Sequence, residues 1–486
     1  MNRVEITKRG VRSSGPGTMV PGLRIANSKD LFELALELPS TLPVYYRIDP
    51  SGLEWSEDLA AFTGGAAAPG PEAWDLVALV HGNVPAPDDA LGVPGVQRLT
   101  VGTAVRVDAA GVRVGRKAPR LPRPEGDLIH AVGAGLPDGA FGIAYSGGLS
   151  SAFLAVAAYQ AGKRPVLVHA DLGVAFAHLP VPEIPGLELR RVPIDVSELL
   201  DHHPIDSGVP RPPMPEVEVR RRLLAALSAA AELPLASGAL LEDLVSIRLP
   251  EADISDEKLL ECEPFHVAGT LPTLAEARKL LEVQTVYAPM AGAKGPSEEQ
   301  QPGAQPPSVP PEMSVVPGLT EAGREEYDIA RQLRLPLWEE HLKSLPPVLG
   351  RADAALAERG GAGAVLPALD PQVLAAVAAL SSDDIGRIER GAFRNNLPLR
   401  QAIDAHGVTG VRRAAPGYWL RLAAAEHLYA QRDKLAASIA DSPLVKEGLI
   451  EAGRVAAALR DPRRMSEHAL ALLRLVWTDH WMRGQA

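Results

Sequence analysis

Residues 146–151 read Ser-Gly-Gly-Leu-Ser-Ser, a turn of small hydroxyl and glycine residues between two apolar runs. The run 141–145 predicts a strand, and the alanine-rich run 151–159 predicts a helix. A strand, turn and helix of this kind present backbone N–H groups and a helix N-terminus to an anion, and glycine lets the anion come close. The alternative is an ordinary strand-to-helix turn. The predicted phosphate contacts are Ser146, Gly147, Gly148, Ser150 and Ser151.

A second strand is predicted at 164–171, after the helix. Together the two strands and the helix form a βαβ unit, which implies a parallel sheet with a right-handed crossover. Ligands of such sheets bind at the carboxyl ends of the strands, so we expect the base of a nucleotide near His169 and Asp171. The turn lacks Gly-Lys-Ser/Thr and a third glycine, which argues against a Walker loop and a dinucleotide fingerprint.

The segment 145–151, Tyr-Ser-Gly-Gly-Leu-Ser-Ser, resembles the pyrophosphatase loop Ser-Gly-Gly-Leu-Asp-Ser-Ser of the asparagine synthetase B superfamily, which includes β-lactam synthetases and lasso-peptide macrolactam cyclases. Further segments that resemble this superfamily lie at 42–47, 52–59, 96–111, 366–371, 397–403 and 411–418. The resemblance implies an α/β fold: a parallel-sheet ATP-pyrophosphatase (adenine nucleotide α-hydrolase-like) synthetase domain, preceded by a reduced Ntn-hydrolase-like α+β domain. It also implies ATP and Mg²⁺ as cofactors, pyrophosphate release and an acyl-adenylate intermediate.

Residues 238–243, Gly-Ala-Leu-Leu-Glu-Asp, are similar to the acidic motif G-x-G-G-D-E of the superfamily. The resemblance implies that Gly238 contacts the nucleotide and that Glu242 and Asp243 are metal ligands. Arg400, Arg412 and Arg413 fall in segments that approach the pyrophosphate in the family, and they are the candidate catalytic residues. Arginine offers a planar fork suited to phosphate oxygens, although ordinary surface salt bridges are the alternative.

The chain also departs from the family pattern. The loop aspartate, normally a magnesium ligand, is Ser150, and a hydroxyl is a much weaker Mg²⁺ ligand than a carboxylate. Two glycines of the acidic motif are leucines. The two family lysines fall near Asn396 and at Ala415 or Pro416. Because of these changes we no longer expect fast adenylation, whereas we still expect a fold that binds ATP.

Composition restricts the class of protein. The chain has 486 residues, of which 46% are hydrophobic and 22% charged, which is enough for two or three domains. A net charge of −11 argues against a nucleic-acid partner. No apolar run is long enough for a membrane span, and 1–22 has no signal-peptide core, so we expect a cytoplasmic protein. The single cysteine, Cys262, excludes a disulfide framework, and no cysteine follows the initiator Met, so we expect no glutaminase activity.

The predicted organisation has five parts. They are a flexible lead-in at 1–24, a degenerate glutaminase-like domain at 25–116, a proline-rich linker at 117–126, an ATP-binding domain at 127–486, and within it a Pro/Gly-rich insertion at 292–317. From Gly318 onwards the pattern is helical.

Two functions are consistent with these observations. The first is an ATP-dependent, AMP-forming ligase that makes an amide bond, with intramolecular cyclisation in the biosynthesis of a peptide or β-lactam antibiotic as the expected setting. Its substrate would be a small molecule or peptide carrying a carboxylate and an amine. The second is a catalytically deficient, synthetase-like pseudoenzyme that binds or scaffolds a biosynthetic partner protein. The missing loop aspartate and lysines favour the second, and the Ser-Gly-Gly turn and the acidic pair favour the first.

Overall fold

The fold is mixed α/β, with several sheets, and one of its four-stranded sheets is fully parallel. The computed structural model describes residues 1–7, 10–15, 20–62, 95–173, 181–201, 215–246, 249–250, 267–268, 316–328, 345–359, 364–389, 392–411 and 418–485. The predicted insertion at 292–317 lies outside these residues except for its last two positions.

The N-terminal part consists of two antiparallel sheets with strand orders β2-β1-β6-β5-β7 and β3-β4-β8-β9. Its strands are β1 (Asn2–Thr7), β2 (Gly10–Ser14), β3 (Leu23–Asn27), β4 (Leu31–Leu36), β5 (Tyr45–Asp49), β6 (Gly52–Ser56), β7 (Val96–Arg98), β8 (Thr103–Asp108) and β9 (Gly111–Arg116), with a 3₁₀ turn at Leu59–Phe62. Side chains from both sheets share one core, including Val4, Leu34, Trp55 and Val105. Alternating apolar residues on facing strands thus form a β-sandwich.

The structure corrects the predicted lead-in at 1–24. Most of it is strand, because β1 and β2 form one side of the first sheet and β1 pairs with β6. Val4, opposite Leu53, is only 1% exposed. The alternation of Val4 and Ile6 with Arg3 and Glu5 is a strand pattern that the polar composition obscures. Among the described residues of 1–116 there is no α-helix, so the α+β character expected of this domain is not visible in that part of the chain.

The parallel sheet follows the linker. Residues 117–124 form neither helix nor strand, and Asp127 caps the next helix by accepting a hydrogen bond from the His130 amide. The elements of this part are α1 (Leu128–Ala134), β10 (Gly142–Ala144), α2 (Leu149–Gln160), β11 (Val166–Asp171), β12 (Leu189–Pro193), α3 (Val196–Leu200), α4 (Pro215–Ala231), β13 (Leu235–Ala236) and α5 (Leu241–Leu244). The strand order is β12-β11-β10-β13, and all pairs are parallel, as predicted.

A single parallel bridge extends this sheet beyond β13. Ala236 pairs with Val365, whose amide donates to the carbonyl of Leu235. The chain therefore runs from β10 outward to β12 on one side and continues at β13 on the other. The strand order reverses between β10 and β13, which is where open parallel sheets bind ligands. The turns that follow β10 and β13 consequently lie at the same end of adjacent strands.

The rest of the chain is mainly helical, as predicted. Its elements are β14 (Leu249–Pro250), β15 (Val267–Ala268), a helical segment at 321–328, α6 (Pro347–Arg359), a 3₁₀ turn (Pro367–Leu369), α7 (Pro371–Ala378), α8 (Ser382–Ile385), β16 (Arg387–Glu389), β17 (Ala392–Arg394), α9 (Leu397–Ala405), α10 (Tyr418–Ile439), α11 (Pro443–Lys446), α12 (Ala452–Arg460), α13 (Pro462–Glu467) and α14 (Ala469–Gln485). The short antiparallel pair β16–β17 was not predicted.

Most of the described helices contribute to one of two hydrophobic cores. One surrounds α2 and includes Phe153, Leu167, Val373 and Leu399, so that α7 and α9 pack with the parallel sheet. The other lies among α10, α12 and α14. Within the part of the chain that the structure describes, no helix is both long and apolar enough to cross a bilayer.

Candidate functional site

The turn between β10 and α2 is braced by its own serines. Gly147 has φ +78°, a left-handed conformation that glycine adopts without a steric cost. The Ser146 hydroxyl accepts a hydrogen bond from the Gly148 amide at 3.2 Å, and the Ser151 hydroxyl donates to the Gly148 carbonyl at 3.0 Å. The two hydroxyl oxygens lie 3.2 Å apart. These hydrogen bonds give the turn a defined shape at the carboxyl end of β10, where Ser146 is exposed and Gly147 is buried.

Glu242 reaches across to this turn from α5, the short helix that follows β13. Its Oε1 accepts a hydrogen bond from the amide of Ser150, 2.9 Å away. Ser150 is in the first turn of α2, where backbone N–H groups have no partner within the helix and the helix dipole favours a negative charge. Gly148, at the N-cap, supplies no side chain for this purpose. The Glu242 carboxylate therefore caps α2 from a different element.

Gly238 lies directly against the start of α2. A Cβ atom at this position would lie 2.6 Å from the Ser150 carbonyl oxygen and 3.0 Å from the Ser151 amide nitrogen. The absence of a side chain therefore has a packing reason. Two residues later, Leu240 has φ +73° and is fully buried, although this backbone conformation normally favours glycine. A glycine of the family motif is expected at the position that Leu240 occupies.

The short helix α5 (Leu241–Leu244) carries the acidic pair and is called the acidic turn below; it is held from its other side by the N-cap residue of α9 and by α6. The Asn396 side-chain amide donates to the carbonyls of Glu242 and Val245, at 2.9 and 3.2 Å. Asn396 is 2% exposed and has φ +55°, a conformation that asparagine tolerates better than most residues. Arg351 Nε donates to the Leu244 carbonyl at 3.0 Å, and burial lowers the pKa of its guanidinium. The resemblance implied a lysine near Asn396, and the contact of Asn396 with the acidic turn was not predicted from the sequence.

His169 and Asp171 lie at the end of β11, which is adjacent to β10. The His169 Nδ1 atom is 2.8 Å from the Tyr145 carbonyl oxygen, so Nδ1 carries the proton in this contact. The Asp171 carboxylate accepts the amide of Gly173 in its own loop, at 3.1 Å. His169 thus contacts the residue before the Ser-Gly-Gly turn, whereas the contact of Asp171 is local.

The three candidate arginines have different outcomes. Arg400 is half-buried on α9, and its Nε donates to the Asn395 carbonyl at 2.7 Å. Because Asn396 joins the same end of α9 to the acidic turn, Arg400 belongs to an element that contacts the site. Arg412 and Arg413 lie outside the described residues.

The oxygen atoms near the turn fit a magnesium ion only in part. Glu242 and Asp243 are half-buried neighbours on α5, and the Ser150 hydroxyl is on the adjoining helix turn. Mg²⁺ is commonly held by one or two carboxylates together with phosphate oxygens and water. Among the residues that the structure describes, no group of three His, Cys, Asp or Glu side chains could hold a metal ion. The donor set therefore fits an ion that phosphate helps to bind, rather than a cage made by the protein alone.

The geometry brings together residues that are far apart in the sequence. The Ser-Gly-Gly turn, Gly238, Glu242 and Asn396 form one contiguous set at the switch point between β10 and β13. Comparison with known proteins adds no family to this picture: no protein-family model matches the chain, and no curated protein matches it significantly. The structure thus shows a mixed α/β protein with a Ser-Gly-Gly turn beside a pair of carboxylates.

Proposed function

We propose that this protein is an ATP-dependent, amide-bond-forming synthetase that adenylates a carboxylate and releases pyrophosphate. The substrate class is a small molecule or peptide that carries both a carboxylate and an amine, and ring closure within one molecule is the proposed outcome. We propose no glutamine hydrolysis, since the one cysteine of this sequence is residue 262 and none occurs within residues 1–116.

One observation carries the proposal. Glu242, from the turn after β13, lies at the N-terminus of the helix that follows the Ser-Gly-Gly turn, with 2.9 Å between its Oε1 and the Ser150 amide nitrogen. A glycine turn, a helix N-terminus and an acidic pair at the switch point of a parallel sheet are the parts that a nucleotide phosphate and its counter-ion require. A plain strand-to-helix turn has no need for a carboxylate from 92 residues away.

The proposed reaction has two steps. A carboxylate oxygen of the substrate attacks the α-phosphorus of ATP, the bond to the bridging oxygen breaks, and pyrophosphate leaves. The amine then attacks the acyl carbon, and AMP leaves. The amides of Gly147 and Gly148 would bind phosphate oxygens, and His169 would lie beside the nucleoside.

Magnesium, bound by Glu242 and Asp243 together with phosphate oxygens, would supply neutralisation of the charge on the departing pyrophosphate. Among the three candidate arginines, Arg400 is the one that the structure describes, and we propose it for this role because α9 is tied to the acidic turn through Asn396. A planar guanidinium binds phosphate oxygens in pairs, which suits a leaving pyrophosphate.

The second candidate is a pseudoenzyme that keeps the fold and binds a partner. Specific contacts favour it. Ser150 supplies a hydroxyl where the family has a carboxylate, and Asn396 uses its amide to hold the Glu242 carbonyl where a lysine is expected. The first change removes a ligand of the magnesium ion and the second removes a cation, and both groups would help to neutralise a departing pyrophosphate.

Nucleotide binding is tested with a matched pair of variants. Gly147 and Gly162 have nearly the same backbone conformation, with φ +78° and +77°, and a Cβ at Gly162 would meet no atom within 4 Å. Alanine at either position costs about 1–2 kcal/mol of backbone strain. We expect Gly147→Ala to weaken Mg²⁺–ATP binding at least tenfold by calorimetry, and Gly162→Ala to leave it unchanged. Equal affinities in both variants would remove the Ser-Gly-Gly turn from the proposed site.

Catalysis is tested by ATP–pyrophosphate exchange with a panel of amino acids and linear peptides. Exchange that depends on a carboxylate substrate supports the synthetase. Mg²⁺–ATP binding without exchange, not restored by Ser150→Asp, supports the pseudoenzyme.

A further inference from the structure

Glu242 has a position that a metal ligand alone does not explain. Its Oε1 accepts the amide of Ser150, so the carboxylate is at the N-terminus of α2, where the phosphate of a nucleotide is proposed to bind. Two of the groups that fix it are independent of any ligand: Asn396 holds the Glu242 carbonyl, and Arg351 holds the end of the same short helix. The carboxylate is therefore presented to α2 by a short helix whose carbonyl groups are hydrogen-bonded to two other elements.

Two anions compete at this place. A phosphate that approaches the amides of the Ser-Gly-Gly turn meets the negative charge of Glu242, and like charges at short range repel strongly in a partly buried environment. A divalent cation changes the balance, because it binds carboxylate and phosphate oxygens at the same time. The same side chain thus opposes a bare phosphate and favours one that carries a cation.

We propose that Glu242 is a specificity-determining residue that excludes metal-free polyphosphates from the turn and admits their magnesium complexes. This inference rests on the proposed nucleotide site. It adds that the site binds the magnesium complex of the nucleotide in preference to the metal-free nucleotide. In the absence of a cation, the Glu242 carboxylate stays bound to the Ser150 amide, because Asn396 and Arg351 hold the acidic turn in place. A metal-free phosphate is then repelled by this carboxylate.

The test uses the full chain and inorganic pyrophosphate as the probe, by calorimetry, in EDTA and in Mg²⁺. In EDTA, Glu242→Gln binds pyrophosphate at least tenfold more tightly than the wild type, which corresponds to about 1.4 kcal/mol. On addition of Mg²⁺ the wild type gains at least tenfold, whereas Glu242→Gln gains less than threefold. The matched control is Glu198→Gln, which removes an exposed carboxylate from the first turn of α3 and leaves both affinities unchanged.

Because a glutamine can still accept the Ser150 amide, Glu242→Ala is the second variant, with folding checked by circular dichroism. Metal-free pyrophosphate affinities that are equal in the wild type and in both Glu242 variants would overturn the inference. This result is distinct from failure of the proposed function. If Mg²⁺–ATP does not bind the wild type but pyrophosphate binds the Glu242 variants in EDTA, the selection by Glu242 stands and the ATP-dependent function falls. If Mg²⁺–ATP binds and the variants show no gain, the function stands and the selection falls.

Discussion

A Cβ atom on Gly238 would lie 2.6 Å from the carbonyl oxygen of Ser150, so the turn after β13 and the first turn of α2 are in backbone contact. Neither backbone can move aside easily, because Ser150 is within a helix whose side chains are buried and Gly238 is followed by the acidic turn. The distance between Glu242 and the Ser-Gly-Gly turn depends on this contact.

We therefore expect Gly238→Ala to lower the free energy of unfolding by about 1–3 kcal/mol, the usual range for overpacking in a close-packed region. The same variant should weaken Mg²⁺–ATP binding, since the Glu242 carboxylate moves away from α2. Urea denaturation and calorimetry measure the two effects. Gly139→Ala is the control, because a Cβ there would meet no atom within 4 Å. Similar stabilities of the two variants would show that the loops separate without cost.

Asn396 provides the second prediction. Its side-chain amide donates to two carbonyls, and it is nearly fully buried. Asn396→Asp has the same shape but replaces the donor with a carboxylate that faces both carbonyl oxygens. We expect a loss of roughly 2–4 kcal/mol in unfolding free energy at neutral pH, because a buried charge is left without a donor.

Acid pH separates this explanation from a general loss of packing. A protonated aspartic acid can donate one hydrogen bond to either carbonyl, so the defect of Asn396→Asp should shrink between pH 7 and pH 4. Asn396→Ala has no proton to gain, and its defect should not shrink over this range. Parallel urea titrations of both variants against the wild type measure this. A defect of Asn396→Asp that does not change with pH would contradict the proposed contact.

Local sequence pattern was sufficient for the elements next to the turn. The predicted strand at 141–145 contains β10, the predicted helix overlaps α2, and the predicted parallel sheet is confirmed. These elements are continuous apolar runs that are bounded by clear turn residues. By contrast, β1 was missed. Its apolar residues Val4 and Ile6 alternate with the charged residues Arg3 and Glu5, but the alternation is too short to stand out in a segment of polar composition.

Most contacts within the candidate site join residues that are far apart in the sequence, so local sequence patterns could not predict them. The contact between Glu242 and Ser150 joins residues 92 positions apart, and no periodicity connects them. Only the resemblance to a family motif suggested that the two segments belong together. Asn396 had no such signal. Its role depends on a left-handed backbone at the start of α9, which becomes evident only when α9 packs beside the acidic turn.

The third prediction concerns pH. His427 on α10 is largely buried, with a side chain 9% exposed, and burial lowers its pKa below the ordinary value of 6.5. Asp201, 3.8 Å away, opposes this shift, and Lys434 adds to it. The pKa of His480 on α14 is also lowered by burial, with Asp479 raising it and Arg483 and Lys434 lowering it.

Because the folded protein resists protonation of His427, the unfolded chain binds more protons below pH 6.5. Stability should thus be fully present above pH 6.5 and fall as the pH drops from there towards the folded pKa, by up to about 1.4 kcal/mol per pH unit for each histidine. His427→Gln should reduce this slope. Urea titrations at pH 5, 6 and 7 measure it. A slope in His427→Gln equal to that of the wild type would contradict the assignment.

The last prediction joins stability to the proposed metal. The Ser150 amide is 2.9 Å from Glu242 Oε1, so Ser150→Asp brings a second carboxylate close to the first. Without a divalent cation the two charges repel, and we expect the variant to unfold at a lower temperature than the wild type. Mg²⁺ should reverse the effect. A cation that binds only the folded state adds about 1.4 kcal/mol to the free energy of unfolding when its free concentration is ten times its Kd. Ser150→Asn has nearly the same size without the charge, and Mg²⁺ should change its Tm no more than that of the wild type. If Mg²⁺ shifts the Tm of Ser150→Asp and Ser150→Asn equally, position 150 and Glu242 do not share a cation, and the proposed magnesium site loses its support.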